Sequence, residues 1–236
     1  MTEQEATNAV LAGTAREGHS LCWHCKTDVG DDPLCPHCVK LQPLGKQSDY
    51  FTVMGLPRKL SIDTRVLEPV FHALSRRFHP DMYRMAAPRE RMIALENSAL
   101  LNQAYRTLRD PFDRAAYLLE LERGREGDRR DSPPQDLFEE ILEVQELLGD
   151  YRLADGSERE SLRPQLNQKR EALQAEQDER GRDLTERLFK QWDQLQEQSQ
   201  PPTTEQKAPL LDAMRRIIGE RAYLRRVLNS LVEALR

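Results

Sequence analysis

All four cysteines of this 236-residue sequence occur as two C-x-x-C pairs near its N-terminus. Cys22 and Cys25 form the first pair, and Cys35 and Cys38 form the second. Each pair can present two thiolates from one tight turn, and two such turns complete a tetrahedral set of ligands for Zn²⁺. Because the segment has little apolar sequence, bound metal would supply most of its folding free energy, about 10 kcal/mol or more. The pattern predicts a structural zinc site that uses all four thiolates.

Three other interpretations of the cysteines stay open from the sequence. Iron fits the same cage of four thiolates. Two disulfides require an oxidising compartment, and a redox-active C-x-x-C requires a βαβ scaffold. His24 and His37 lie inside the two pairs. We interpret them as exposed neighbours of the site, because four thiolates already complete the coordination and leave no open position for catalysis.

The tripeptide His79-Pro80-Asp81 is a second candidate site, and it comes after the basic residues Arg76 and Arg77. The simplest interpretation is a helix stop, because proline disfavours helical geometry in the preceding residue and aspartate can cap the next helical turn. The basic approach favours a binding function. An exposed Asp81 can form a charge-assisted, bidentate pair with an arginine of a partner, and the two arginines can attract an acidic surface. We predict no catalytic residue here, since no nucleophile lies at helical spacing from His79.

The elements that position this tripeptide are predicted to be helices. Apolar spacing indicates a short helix ending near Gly55 and then a hairpin of two longer helices on either side of the tripeptide. The residues predicted to face inward before the tripeptide are Val66, Val70, Ala73 or Leu74, and Phe78. Those predicted to face inward after it are Met92, Leu95, Ala99, Asn102 or Gln103, and Leu108.

The second half of the chain predicts three further helices that form an antiparallel bundle. Gly181 is predicted to loosen or kink the long second helix, and Pro201-Pro202 to end it. The predicted fold is therefore all-α, with a helical hairpin domain and a three-helix bundle after a small zinc-bound tetracysteine module. The predicted segments are a disordered N-terminus (1–20), the zinc module (21–46), the hairpin domain (48–122), a linker (123–135) and the bundle (136–236).

Composition narrows the functional classes. A net charge of −5 argues against a nucleic-acid binder, and no apolar run approaches the roughly 18 residues of a membrane span. The acidic residues near Met1 and the missing apolar segment there predict no secretory signal. We therefore expect a reducing, cytoplasmic location, with the mitochondrial matrix as the alternative. Homodimerisation through the apolar stripes stays open.

The motifs together resemble the HscB/Jac family of J-domain co-chaperones, which act in iron–sulfur cluster biogenesis. The resemblance covers about 21–236 and is carried by segments 50–57, 79–81, 101–111 and 114–119. It includes the N-terminal C-x-x-C pairs of the eukaryotic branch. One departure is Met82, which follows Asp81 where many J-domains have lysine.

The resemblance implies two partners. His79, Pro80 and Asp81, with Arg76 and Arg77, would engage a DnaK/HscA-type ATPase chaperone, and the bundle would bind an IscU-type iron–sulfur scaffold. By position, the family's scaffold contacts correspond to Leu137, Phe138, Leu142 and Tyr223. The alternative for these four residues is ordinary core packing.

Other functions stay open from the sequence. One is a J-domain protein for a different client that docks on the zinc module. Another is a zinc-thiol redox protein, which predicts accessible thiols and loss of metal on mild oxidation. A zinc-ribbon nucleic-acid binder is a weaker third, because no basic and aromatic surface accompanies the cysteines.

Overall fold

The computed structural model describes residues 21–29, 33–44, 49–124, 135–198 and 200–236. Within these ranges the chain is helical, with two isolated β-bridges in the cysteine segment and no strand. The predicted all-α fold is confirmed. The predicted N-terminal segment (1–20) and nearly all of the predicted linker (123–135) lie outside the described residues.

The chain divides into two compact units, Met1–Arg114 and Ala115–Arg236. The boundary falls inside a helix, because Arg114 and Ala115 are consecutive residues of the helix Pro111–Arg123. The domain limits drawn from the sequence stay predictions. No helix in the described part of the chain combines the length and apolarity needed to cross a membrane.

The described residues of the first unit form helices and a 3₁₀ turn. They are α1 (Tyr50–Val53), α2 (Thr64–Phe78), the 3₁₀ turn (Pro80–Tyr83), α3 (Pro88–Arg109) and α4 (Pro111–Arg123), which continues into the second unit. Asp49 caps α1 by accepting a 2.9 Å hydrogen bond from the Thr52 backbone N–H. Gly55 comes after α1 with a positive φ of 66°, which glycine adopts without steric cost.

The α2–α3 hairpin encloses the core of the first unit. Its buried apolar residues are Leu67, Val70, Leu74 and Phe78 from α2, and Ile93, Ala94, Leu101, Ala104 and Leu108 from α3. The predicted inward face of α3 was correct for Leu108 and wrong for its other members, because the structure exposes Met92, Leu95, Ala99, Asn102 and Gln103. In α2, Leu67 is buried and the predicted Val66 is exposed. Apart from Ala99, each of these errors is a shift by one residue, about 100° around a helix.

The second unit contains the predicted three-helix bundle. Its helices are α5 (Gln135–Leu153), α6 (Gly156–Arg182), α7 (Phe189–Gln196) and α8 (Thr204–Ala234), with a π-helical segment (Asp183–Leu188) that joins α6 and α7 into one long rod. One core cluster contains residues of all three arms of the bundle, namely Leu148 of α5, Leu173 of α6 and Leu224 of α8. At the other end of the unit, Lys207 of α8 pairs with Glu122 of α4 at 2.8 Å.

The π-helical segment begins two residues after Gly181, close to the point where the sequence predicts a loosened or kinked helix. The Thr185 hydroxyl donates a 2.9 Å hydrogen bond to the Gly181 carbonyl, which lies four residues earlier. A π turn adds one residue to the rod and releases backbone carbonyls from the regular pattern, and a nearby hydroxyl can satisfy them. Leu184 and Leu188, within the segment, are both buried.

Candidate functional site

His79 and Asp81 occupy an exposed loop with a defined geometry. His79 ends α2 in an extended conformation, and Pro80 begins the 3₁₀ turn. The backbone N–H of Asp81 donates a 3.3 Å hydrogen bond to His79 Nδ1. The two side chains are 53% and 74% exposed, and His79 Nδ1 lies 3.7 Å from Asp81 Oδ2. The loop therefore presents a carboxylate and an imidazole together to solvent.

Two aromatic residues anchor this loop to the hairpin. Phe78 is fully buried at the end of α2, and the Tyr83 hydroxyl donates a 3.0 Å hydrogen bond to the Arg77 carbonyl. Burial raises the pKa of Tyr83, and the negative charge of Glu90 raises it further. The phenol therefore stays protonated at neutral pH and remains a hydrogen-bond donor.

Positive charge surrounds the loop. Arg76 and Arg77 occupy the last turn of α2, where cations interact favourably with the helix dipole, and Arg84 comes directly after the 3₁₀ turn. Arg76 and Arg84 are exposed, and Arg77 is half-buried. A fixed carboxylate between cations can pair with a partner's arginine while the cations face acidic groups.

The four cysteines form a cage from two turns with the same hydrogen-bond pattern. In the first turn, the Cys22 N–H donates to the Thr27 carbonyl at 2.8 Å and the Lys26 N–H donates to the Cys22 carbonyl at 3.1 Å. In the second turn, the equivalent bonds join Cys35 with Lys40 and Val39. Lys26 and Val39 both have positive φ, 64° and 58°, which is unfavourable for a side chain branched at Cβ such as Val39.

The sulfur positions fit a tetrahedral metal ion. All four Sγ atoms lie within 4.8 Å of one another, and Cys22–Cys38 and Cys25–Cys35 are each 3.6 Å apart. A disulfide needs about 2.05 Å, whereas a tetrahedral ion with Zn–S bonds of about 2.3 Å separates its sulfurs by about 3.8 Å. His24 and His37 are exposed and lie outside the group of four ligands. The cysteines can hold a metal ion.

The thiols are also electrostatically coupled. Burial raises the pKa of Cys22, but the backbone N–H groups of Cys25 and His24 and the neighbouring thiols outweigh it and lower the pKa to about 6. Burial and the other thiols raise the pKa of Cys38 to about 12. Such opposite shifts are expected when several anions would share one site, and a bound cation removes the repulsion.

The structure also contains a polar contact that sequence analysis missed, between the cysteine segment and α3. Glu90 accepts hydrogen bonds from Lys40 Nζ at 2.8 Å and from the Leu41 N–H at 3.2 Å. Asn97 Oδ1 accepts from the Leu44 N–H at 2.9 Å. Glu90 and Asn97 are seven residues apart on one face of α3, which is the only sequence signal that we find for this contact.

The candidate scaffold-binding residues separate into two groups. Leu137 is only 3% exposed and lies in the bundle core, against which Tyr223 packs. Phe138 and Leu142 are exposed by 50% and 46% on α5. Tyr223 is half-buried, with the Arg226 guanidinium 4.6 Å from its ring centroid. Phe138 and Leu142 thus expose apolar surface to solvent, whereas Leu137 packs inside the bundle.

Comparisons with known proteins bear on this arrangement. A scan against protein-family models matched none. The Iron-sulfur cluster co-chaperone protein HscB of Mus musculus is 33% identical over 149 residues, which cover 60% of this chain and 64% of the mouse protein. The Co-chaperone protein HscB homolog of Bordetella avium is 38% identical over 130 residues, which cover 54% of this chain and 76% of the relative.

Solved structures agree with these relatives. The crystal structure of human co-chaperone protein HscB matches with a TM-score of 0.67 at 24% identity, covering 91% of this chain and 98% of that one, and shows the same fold. Chaperone HscB from Vibrio cholerae matches with a TM-score of 0.57 at 26% identity, covering 78% and 96%.

The exposed loop of the α2–α3 hairpin, followed by a three-helix bundle, defines a J-type co-chaperone architecture, which the resemblance anticipated. On its similarity to the Bordetella avium relative, the chain belongs to the HscB co-chaperone family. The alignment spans a little under two thirds of the mouse relative's length.

Proposed function

We propose that this protein is a co-chaperone of iron–sulfur cluster assembly. Its bundle would bind an IscU-type scaffold, and its loop would stimulate ATP hydrolysis by a DnaK/HscA-type chaperone, which promotes transfer of the cluster. The protein itself hydrolyses nothing in this scheme, because the reacting groups belong to the partner ATPase. We propose that the protein acts in the bacterial cytoplasm or, as the alternative, in the mitochondrial matrix.

The observation that carries the proposal is the exposed pair His79 and Asp81 on a loop held by Tyr83. A carboxylate whose backbone is already ordered loses little conformational freedom when it pairs with an arginine of the ATPase. Arg76 and Arg77 would raise the rate of encounter with an acidic surface of that partner. Names of relatives such as "Iron-sulfur cluster co-chaperone protein HscB" support the same role.

The proposed scaffold surface consists of Phe138 and Leu142, with Tyr223 on α8 and Leu137 beneath. Exposed apolar side chains on a helix are suited to fill a groove or pocket on a partner. Next to Leu142 on α5, Glu143 forms a 2.8 Å salt bridge with Lys169 of α6.

We propose Zn²⁺ as the metal, in a structural role. Four thiolates close the coordination sphere and leave no open position for substrate. The cage supports a structural interpretation over a redox one, because the sulfurs are arranged around a common centre and two of the four are buried. The residues that would hold the ion are Cys22, Cys25, Cys35 and Cys38.

The deciding experiment is the steady-state ATPase rate of an HscA-type chaperone with and without this protein, an IscU-type scaffold, or both. Stimulation that needs the scaffold and Asp81 supports the proposal. Stimulation that is indifferent to the scaffold transfers the role to another client, for which the exposed Leu21 and Val39 of the cysteine module are the first surface to test. Absence of any stimulation overturns the proposal.

A further inference from the structure

The segment from Lys40 to Leu44 lies along α3 and is fixed there by two side chains of that helix. Glu90 and Asn97 are only 4% and 2% exposed. Glu90 accepts from Lys40 Nζ and from the Leu41 N–H. Asn97 accepts from the Leu44 N–H at 2.9 Å and donates from Nδ2 to the Gln42 carbonyl at 2.9 Å. The two residues thus satisfy the backbone of an extended segment as a neighbouring strand would.

The distance between the two side chains on α3 matches the distance between the two N–H groups that they bind. Glu90 and Asn97 are seven residues apart in α3, which corresponds to about 10.5 Å along the helix axis. Leu41 and Leu44, whose N–H groups they bind, are three residues apart, about 10 Å in an extended chain. Each side chain therefore meets its N–H group without distortion of either element, as expected of a specific interface rather than a chance contact.

Trp23 connects the first cysteine turn to the same interface. Its indole Nε1 donates a 2.7 Å hydrogen bond to the Leu41 carbonyl, and its backbone N–H donates to Gln42 Oε1 at 3.3 Å. The Arg89 guanidinium lies 4.8 Å from the centroid of the indole ring. The residue next to ligand Cys22 is thus held by both the segment and α3.

Glu90 lies in the first turn of α3, and α3 packs against the 3₁₀ turn Pro80–Tyr83 that follows His79. The charge of Glu90 helps to raise the pKa of Tyr83, whose hydroxyl binds the Arg77 carbonyl two residues before His79. A buried carboxylate and a buried amide are costly when they lose their partners, because water cannot replace those partners without opening the structure. Displacement of the Lys40–Leu44 segment would therefore destabilise α3 and the loop that precedes it.

We infer that Glu90 and Asn97 are positioning residues that couple metal binding by the four cysteines to the order of the N-terminal half of α3 and of the His79 loop. The apolar core of the module consists of Cys22, Val29 and Cys35, with Cys25 and Cys38 packed against it, so its folding depends on the metal. Loss of the metal releases the segment from α3. Linkage requires the reverse effect, so that loss of the α3 contacts weakens metal binding by the same factor.

The test measures Zn²⁺ affinity of the full chain by competition with a chromophoric chelator. Glu90→Gln and Asn97→Ala are each expected to lower the affinity about tenfold, the effect of losing one to two buried hydrogen bonds. Glu96→Gln and Asn102→Ala change exposed residues of the same helix and are the matched controls, with affinities expected to stay within about twofold of the unmodified chain.

Hydrogen exchange supplies the reciprocal measurement. Removal of Zn²⁺ from the unmodified chain is expected to speed amide exchange in 81–98, while exchange in α8 stays unchanged. A further variant, Lys40→Met, tests the interface from the module side if Glu90→Gln does not fold, and the two changes together are expected to be less than additive. Equal affinities in variants and controls, or unchanged exchange in α3 after metal removal, would overturn the inference. Neither measurement involves a partner protein, so its outcome is independent of the proposed function.

Discussion

Phe71 of α2 and Tyr105 of α3 stack with their ring centroids 4.1 Å apart and their planes inclined by 16°. The pair joins the middle of α2 to the C-terminal part of α3. A stacked pair adds about 1 kcal/mol beyond the burial of its area. The hairpin is thus held by an aromatic pair at the middle of α2 and by the Tyr83 hydrogen bond at the loop end.

Phe71→Leu is expected to lower the free energy of unfolding by about 1–2 kcal/mol, because it removes the stacking and leaves a poorer fit against Tyr105. Thermal or urea unfolding followed by circular dichroism checks this. Met92→Leu, at an exposed position of α3, is the control and is expected to change stability by less than about 0.5 kcal/mol. Equal effects of the two substitutions would contradict the role of the stack.

Asp81→Asn is expected to reduce stimulation of the partner ATPase about tenfold or more, because the charge-assisted pair with an arginine is lost. Stability is expected to stay the same, since the carboxylate is mostly exposed. The ATPase assay and a thermal unfolding curve separate the two effects. Glu96→Gln, an exposed carboxylate of α3, serves as the control. Retained stimulation by Asp81→Asn would remove the loop from the mechanism.

Leu137→Ala is expected to lower stability and Phe138→Ala to weaken scaffold binding, although the two residues are adjacent. Leu137 is in the core, so its truncation costs about 2–5 kcal/mol of stability. Phe138 is half-exposed, so its truncation leaves stability within about 0.5 kcal/mol and weakens scaffold binding. Calorimetric titration with the scaffold checks the second effect. Leu153→Ala, at the exposed end of α5, is the control; a Phe138→Ala variant that binds equally well would exclude this surface.

Glu140→Gln is expected to stabilise the bundle at neutral pH. Burial raises the pKa of Glu140, and the charge of Glu176 on α6 raises it further. A raised folded pKa means that the ionised carboxylate destabilises the native state, and that this loss is absent below the ordinary carboxyl pKa. The gain should therefore be present at pH 7 and vanish near pH 4. Urea unfolding at the two pH values measures it, and a gain that grows on acidification would contradict the sign.

Val39→Gly is expected to stabilise the cysteine module by about 0.5–1 kcal/mol, because glycine adopts the positive φ of 58° without steric cost. The measurement is the chelator concentration at which half the Zn²⁺ is released, which should rise. Val66→Gly in α2 is the control, where glycine is expected to cost about 1 kcal/mol in thermal unfolding. Earlier metal release from Val39→Gly would show that the turn tolerates the valine.

The sequence contained enough information to predict the ends of the hairpin and the cysteine cage. Asp63, Pro88 and Asp110-Pro111 act locally, through capping and through the fixed φ of proline, and the structure has helix ends at each of these positions. The cage was predictable because ligand spacing within each turn is also a local property.

The inward face of α3 could not be predicted, because its burial depends on a distant segment. Asn97 interrupts the apolar stripe that contains Ile93 and Leu101, so the neighbouring stripe of Met92 and Leu95 looked more continuous. Asn97 is buried only because the backbone around Gln42 and Leu44 covers it and satisfies its amide. A local pattern contains no signal for a partner 53 to 55 residues away.

The π-helical segment determines where the long α6–α7 helix can lose a residue without disrupting the bundle. Leu173 and Trp192 are both buried although 19 positions separate them, and an unbroken α-helix would place them about 100° apart around its axis. The extra residue of the π turn cancels that rotation and returns both side chains to one side of the rod. Deletion of the exposed Glu186 would convert the segment to regular helix, and 18 positions at about 100° each complete five whole turns. The rod is therefore expected to accept a one-residue deletion there while a deletion within α6 would rotate its two ends against each other.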